Sequence, residues 1–401
     1  MKKRIFISIP SLNIGGAETA LIGMLQTFDY TKVDVDLFMY SHEGLFIPFV
    51  PKEVNVLPEA PAYAMIYRGD EKACLKQGLY RLAFRMFMAR LRMKLYVLHK
   101  RPSNYSAMFS FQGDEFTKAL PDINPSDEYD LAMSFVDSHS YVLDHVKAKK
   151  TIGWVHTDYT KIDINKKLEL PVWRRLDKII VVSNAVGEAF AKVFPELKDN
   201  ILTIENILSK SFVKRQADEF FPEEYRQYAS DGNVILCSVG RICEAKNYES
   251  IPAVAKCLEG MGVRFHWFVV GPGNATDIIS NAKALGVGDV VSFIGARENP
   301  QPYIKHCTIY VHPSRREGKS LVVREAQVLG KLVVITNFST APSHVVDGKD
   351  GIIVPMDNDS IAKGIERLLR DKNLQASIME YLRAHDYGNE EEISKIYELV
   401  G

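Results

Sequence analysis

The stretch "IYVHPSRREGKSLVVREAQVLG", residues 309–330, reads as an apolar strand, a polar loop and then a helix-like run from Ser320. A strand apolar at nearly every position and followed at once by a helix belongs to a parallel sheet covered on both faces. Two glutamates mark the unit: Glu317 just before the helix N-terminus, and Glu325 about two turns along it.

The same alternation extends in both directions. Around the opening unit lie "VILCSVG" (234–240), "RFHWFVVG" (264–271), "VVSFIG" (290–295), "LVVITN" (332–337) and "GIIVP" (351–355). The first half holds "RIFISIP" (4–10), a helix from about Gly16, "VDLFMY" (35–40), "VNVL" (54–57), "LAMSF" (131–135), "TIGWVH" (151–156) and "KIIVVS" (178–183). The polar stretch 209–233 interrupts the pattern and reads as a linker. The expected fold is α/β, with two doubly wound Rossmann-like domains facing a cleft. They would span 1–208, with a basic helical insertion at about 72–113, and 234–380. A C-terminal helical tail, 381–401, follows, for which a return to the first domain is one option.

Bulk composition narrows the function. At 401 residues the chain exceeds a single hydrophobic core. Lys+Arg and Asp+Glu balance at 50 each, so no overall field points to nucleic acid. There is no signal peptide pattern and no apolar run long enough to span a bilayer. The five cysteines are scattered without a CxxC pair, which fits a reducing cytoplasm and argues against zinc.

Several strand ends carry chemistry. "SLNIGGAETA" (11–20) follows the first strand and opens a helix. Its glycines, Gly15 and Gly16, let backbone amides approach an anion. Because it is not GxGxxG, and "GPGN" (271–274) is only a weak GxG, a dehydrogenase-type dinucleotide site loses ground. "SVGRICEAKN" (238–247) places Arg241 directly after a strand and Lys246 five residues on, a pair suited to a diphosphate. Taken alone, they read better as ordinary surface cations. Glu317 beside a phosphate-attracting helix end makes sense if it meets hydroxyl groups, so amides and carboxylates together describe a nucleotide-sugar site. The competing reading is a salt-bridged face using Arg315, Arg316 and Arg324. Literal Asp-x-Asp matches occur at Asp34–Asp36 and Asp357–Asp359, with a partial one at Asp163, and read as structural rather than metal-binding.

Taken in order, these segments resemble glycosyltransferase family four, the retaining enzymes of the GT-B fold, and especially its capsule and exopolysaccharide members. "EGKSLVVRE" resembles the family's E-x7-E motif, "GRICEAK" its G-R-x4-K segment and "IGGAE" its glycine loop. "VVSNA" (181–185) resembles its usual strand end, and "WVHTDY" (154–159) its histidine segment. The resemblance runs from Ile5 to about Leu369. It implies that Glu317 contacts the donor sugar's hydroxyls and Glu325 the ribose. Arg241 and Lys246 would neutralise the departing diphosphate, with amides at Gly16 and around Ser320–Leu321 assisting. His156 would lie beside the reacting sugar, and Arg297 near the base through its backbone. Lys319 and Ser320 stand where the family commonly has Phe and Gly, so Lys319 is a candidate third cation. Thr308 replaces the usual Asp before the strand.

The resemblance thus implies a retaining, metal-independent transferase without cofactor. It would move a sugar from a nucleotide diphosphate sugar, UDP-linked by preference, to a glycan or lipid-linked acceptor in cell-surface polysaccharide synthesis. The alternatives are a non-catalytic GT-B partner subunit and another nucleotide-sugar enzyme such as an epimerase. The first would be expected to have lost Arg241, Lys246 or a glutamate, and the E-x7-E arrangement argues against the second.

One segment stands outside this scheme. From Lys72 to Gly113 there are nine Lys/Arg and no Asp or Glu, interleaved with apolar residues at helical spacing. Two readings are held equally: peripheral contact with the inner face of a membrane, or a packed helix with a solvated basic face. The expected location is cytoplasmic in either case.

Overall fold

The structure is a computed structural model and describes every residue except Met1, Ile14, Ser103 and Asp137. Ile14 of the glycine loop therefore lies outside the described residues. Contacts divide the chain into two units. The first comprises residues 1–13, 17–207 and 391–401, and the second is chiefly 208–390.

The first unit is built on a parallel sheet of β1 (Lys3–Ile9), β2 (Val33–Met39), β3 (Asn55–Val56), β4 (Tyr129–Ser134), β5 (Ala148–Val155), β6 (Lys178–Val181) and β7 (Ile201–Thr203). Their spatial order is β3-β2-β1-β4-β5-β6-β7. The second unit repeats the plan with β8 (Val234–Val239), β9 (Phe265–Val270), β10 (Val291–Phe293), β11 (Ile309–His312), β12 (Leu332–Thr336) and β13 (Ile352–Val354), in the order β10-β9-β8-β11-β12-β13. Central strands such as β1, β8 and β9 are buried along almost their whole length because helices cover both faces. That is why they read as continuous apolar runs. Each sheet reverses winding direction beside its first strand, between β1 and β4 and between β8 and β11. Such a switch leaves a crevice at the strands' carboxyl ends.

Two sequence expectations need correction. The stretch 209–233 is not a linker. It forms the helices Lys210–Ala217 and Glu223–Ser230, which bury Val213, Ala217 and Tyr225. The Tyr225 hydroxyl donates to the Tyr303 carbonyl, and Asn299 Nδ2 to the Gln216 carbonyl. A few apolar residues at helical spacing anchor a segment whose average polarity suggested solvent. The edge strand β7 was not anticipated, because three half-buried residues leave no apolar run.

At the other end of the chain, the helix Ile393–Val400 packs on the first unit. Tyr397 Oη accepts from the Asp29 amide at 2.7 Å, and Lys150 Nζ donates to the Leu399 carbonyl at 2.8 Å. The basic segment folds as three helices, Glu71–Lys76, Tyr80–Lys100 and Ala107–Phe116. Its charge is partly balanced by carboxylates just outside it: Arg85 pairs with Glu115, Arg90 with Glu71, and Arg92 with Asp114 and Glu115. No helix among the described residues is long and apolar enough to cross a membrane.

Candidate functional site

In the second unit the loops after β8 and β11 leave the two strands that flank the winding switch, and they meet. Lys246, in the short turn Glu244–Lys246, donates from Nζ to Glu317 Oε1 at 2.7 Å. Gly240 makes this approach feasible. Its φ of 154° suits glycine, and a Cβ there would lie 2.9 Å from Tyr248 Oη and 3.1 Å from Lys246 Cε. The loops are strapped together farther out by Arg315–Glu249 and Arg316–Glu244 ion pairs. The two arginines thus use carboxylates other than Glu317 and Glu325, which leaves Glu317 to Lys246.

Glu317 has a second partner that sequence reasoning passed over. His312, the last residue of β11, is fully enclosed, and its Nε2 lies 2.9 Å from Glu317 Oε1. Ser314 Oγ and Ser320 Oγ stand 3.0 and 3.4 Å from the same nitrogen, and Tyr310 Oη is 3.2 Å from Nδ1. Burial, then the nearby Lys246 charge, depress the imidazole pKa, against the opposing pull of the Glu317 hydrogen bond and charge. Burial by itself would raise Glu317. The His312 hydrogen bond and the Lys246 charge outweigh it and hold the carboxyl well below the usual carboxylate range. The signal for His312 was visible: a lone imidazole at the carboxyl end of a strand at the switch point.

The helix after the loop, Leu321–Val328, begins with Ser320 as its cap residue, and no side chain of that residue closes its first turn. The Ser320 amide donates to His344 Nε2 at 2.7 Å, while His344 Nδ1 lies 2.9 Å from the Thr340 carbonyl. His344 is neutral, since burial lowers its pKa to about 4. Thr340 Oγ1 in turn donates to the Glu317 carbonyl at 2.8 Å. The loop is therefore held from behind, and the helix's first-turn amides, starting at Leu321, keep the anion-attracting character of a helix end. Lys319 donates to the Ser343 carbonyl at 3.2 Å.

The other expected residues are dispersed. Arg241 is exposed after β8 and forms no hydrogen bond or ion pair among the described residues. Arg297 is committed: its guanidinium binds Glu224 at 2.8 Å and the Tyr303 hydroxyl at 3.1 Å, leaving only its backbone for a ligand. Glu325 is 2% exposed, and burial pushes its pKa up to about 7 against a hydrogen bond with Gln301. It makes no ion pair with Lys246 or Arg241. Of the Asp-x-Asp carboxylates, Asp36 accepts from Tyr129 Oη and Asn55 Nδ2, and Asp34 pairs with Lys2. Asp357 caps the helix Asn358–Arg370, and Asp359 pairs with Lys363 on it. Among the described residues no group of three or more His, Cys, Asp or Glu could hold a metal ion.

Gly15 directly precedes the helix Gly16–Thr27, which follows β1 of the first unit, and a Cβ on Gly16 would meet nothing within 4 Å. The same unit contains a cavity of about 840 Å³, lined among others by Gln112, Trp154, His156, Tyr159, Glu169 and Trp173. His156 follows β5, and its Nε2 donates to the Phe135 carbonyl at 2.8 Å. Its Nδ1 is buried and has no partner among the described residues. Burial lowers its pKa to about 4, so the ring is neutral and the enclosed Nδ1 is an acceptor. Glu169 accepts from Ser110 Oγ and Trp173 Nε1, and burial raises its pKa.

Comparison with known proteins matches this geometry to a family. Residues 221–385 match the family model described as "Glycosyl transferases group 1". An uncharacterized glycosyltransferase of Haemophilus influenzae is 28% identical over 224 residues, 55% of this chain and 60% of that protein. The capsular polysaccharide biosynthesis glycosyltransferase CapM of Staphylococcus aureus is 29% identical over 187 residues, 45% of this chain and 49% of its own length. The chain thus spans about half to three-fifths of the length of the curated relatives it matches. Among solved structures, Anabaena Alr3699/HepE in complex with UDP and glucose superposes with a TM-score of 0.67 at 16% identity, covering 99% of this chain and 98% of that one. That likeness is one of fold. Residues 221–385 of the second unit thus match the group 1 glycosyl transferases, and the two-sheet architecture is a GT-B fold.

Proposed function

We propose that the protein transfers a sugar from a nucleotide diphosphate sugar, UDP-linked by preference, to a glycan or lipid-linked acceptor in cell-surface polysaccharide synthesis, with retention and without a metal. The observation that carries this reading is the Lys246–Glu317–His312 cluster at the winding switch of the second sheet. An ionised, enclosed carboxylate with an oxygen left over is a strong acceptor for sugar hydroxyls. Arg241, exposed nearby in sequence, and Lys246 supply positive charge where a diphosphate would leave, and the helix end at Leu321 adds amide donors. Fixed cations of this kind can stabilise a leaving diphosphate by themselves. The transition state is oxocarbenium-like, and the acceptor attacks on the face from which the diphosphate departs, with a phosphate oxygen taking its proton. His156 lines the first unit's cavity, which is large enough for one or two sugar rings. The capsular polysaccharide biosynthesis role of the Staphylococcus aureus relative supports the polysaccharide context, and the UDP and glucose bound to the Anabaena neighbour support the choice of donor.

The test is a melting-temperature screen of nucleoside diphosphates and their sugars on the whole chain, followed by product analysis. UDP and one UDP-sugar should stabilise most, transfer should persist in EDTA, and the product should keep the donor's anomeric configuration. Stabilisation by no nucleotide removes the reading. A saturable divalent-cation requirement removes its metal-free part, and an inverted product its retaining part.

A further inference from the structure

The helix Tyr80–Lys100 has two apolar faces. One carries Leu82, Ala83, Met86, Ala89 and Met93, which are buried against the first unit's core. The other carries Tyr80, Phe84, Phe87, Leu91, Leu95 and Leu98, each between 38% and 69% exposed. Their spacing of three and four residues places all six in one stripe along the solvent side, where a globular protein normally puts polar residues. We propose that this stripe is a docking surface for an anionic lipid bilayer.

The charge around it specifies the partner. Three of the nine cations in the segment are paired, through Glu71, Asp114 and Glu115. The remaining six, Lys72, Lys76, Arg81, Lys94, Lys100 and Arg101, are exposed and pair with no carboxylate among the described residues. By helical spacing Arg81 and Lys94 flank the stripe, and an apolar strip flanked by unpaired cations is what an interfacial helix presents to anionic headgroups while its aromatic and leucine side chains enter the acyl boundary. A second copy of the chain fits worse, because a two-fold interface would set these cations against each other. Phe109, exposed on the helix Ala107–Phe116 that packs against Tyr80–Lys100, also lines the first unit's cavity. The docking itself follows from the surface whatever reaction the protein performs.

The test is flotation of the intact protein with phosphatidylcholine vesicles and with vesicles containing about 30% phosphatidylglycerol, across about 0.05–0.5 M salt. Wild type should bind the anionic vesicles, and raising salt should weaken but not abolish that binding. The double variant Phe87→Ser/Leu91→Ser should bind about tenfold or more weakly at every salt with an unchanged melting temperature, since both residues are exposed. A Phe87→Trp variant should show blue-shifted emission quenched by brominated lipid. Equal or absent binding to both vesicle types overturns the proposal. Binding that salt removes completely and the double variant retains overturns insertion. A dimer that the double variant dissociates, with no vesicle binding by wild type, assigns the stripe to a second copy instead.

Discussion

Lys246 Nζ and Glu317 Oε1 lie 2.7 Å apart although 71 residues separate them in the chain. Their two loops leave neighbouring parallel strands, so the contact follows from sheet order rather than from local sequence. The pair is mostly enclosed, with side-chain exposures of 18% and 13%. Removing one partner leaves the other charged and short of compensation. Lys246→Met should cost about 3 kcal/mol of stability at neutral pH, and Glu317→Gln added to it should restore most of that loss. Denaturant titration of the two singles and the double checks the cycle, and additive losses would show that the charges act independently. If the proposed function holds, Lys246→Met should also slow transfer about a hundredfold or more.

Glu325 gives a pH signature. Its folded pKa of about 7 lies above the ordinary glutamate value, because burial disfavours the charged form. Between these values the folded state binds the extra proton, so stability falls as pH rises through that window. The full effect above pH 7 is about 3 kcal/mol. Glu325→Gln should therefore match wild type near pH 4.5 and be more stable by that order at pH 8. Melting curves at both pH values check this. Equal pH slopes for the two proteins would show that Glu325 ionises normally.

The sheets were legible because buried parallel strands write themselves as apolar runs, as "VILCSVG" and "LVVITN" do for β8 and β12. Lys246 and Glu317 could be proposed because strand ends at a winding switch are where ligands collect. His312 was overlooked although Tyr310, Ser314 and Glu317 lie within five residues of it, because a histidine ending an apolar strand reads as packing until the loop is seen to turn back onto the imidazole. The helices of 209–233 were hidden by composition, since Tyr225 and Val213 anchor them from within a polar stretch. The outward stripe of Tyr80–Lys100 was visible as spacing, but the side on which its apolar residues fall depends on which face packs.

Gly240 tests the loop geometry directly. A methyl group there would crowd Tyr248 Oη and Lys246 Cε, and a φ of 154° is unfavourable for alanine. Gly240→Ala should lower stability by about 1–3 kcal/mol and weaken nucleotide binding, because Lys246 must shift. Gly232→Ala has an open surround and a left-handed φ of 71°, so it reads the cost of a positive φ where nothing is crowded. Calorimetry with UDP and melting curves on both variants separate strain from lost positioning. Equal nucleotide affinity in Gly240→Ala and wild type would mean that Lys246 is not set by this contact.

His156 is locked as a neutral ring whose Nδ1 is an enclosed acceptor, reached only if a bound hydroxyl displaces what covers it. Nε2–H is committed to the Phe135 carbonyl, and Nδ1 has no partner among the described residues. With a pKa of about 4, the ring carries no charge between pH 5 and 8. It should therefore accept a hydroxyl hydrogen bond and not act as a proton donor. His156→Ala should lower kcat/KM by about tenfold or more, since one buried hydrogen bond of this kind is worth about 1.5 kcal/mol. His156→Asn places an oxygen acceptor near the position of Nδ1 and should recover part of the loss. The pH–rate profile of His156→Ala should keep the shape of the wild-type profile. A wild-type limb between pH 6 and 7 that vanishes in His156→Ala would instead assign the histidine a titrating role.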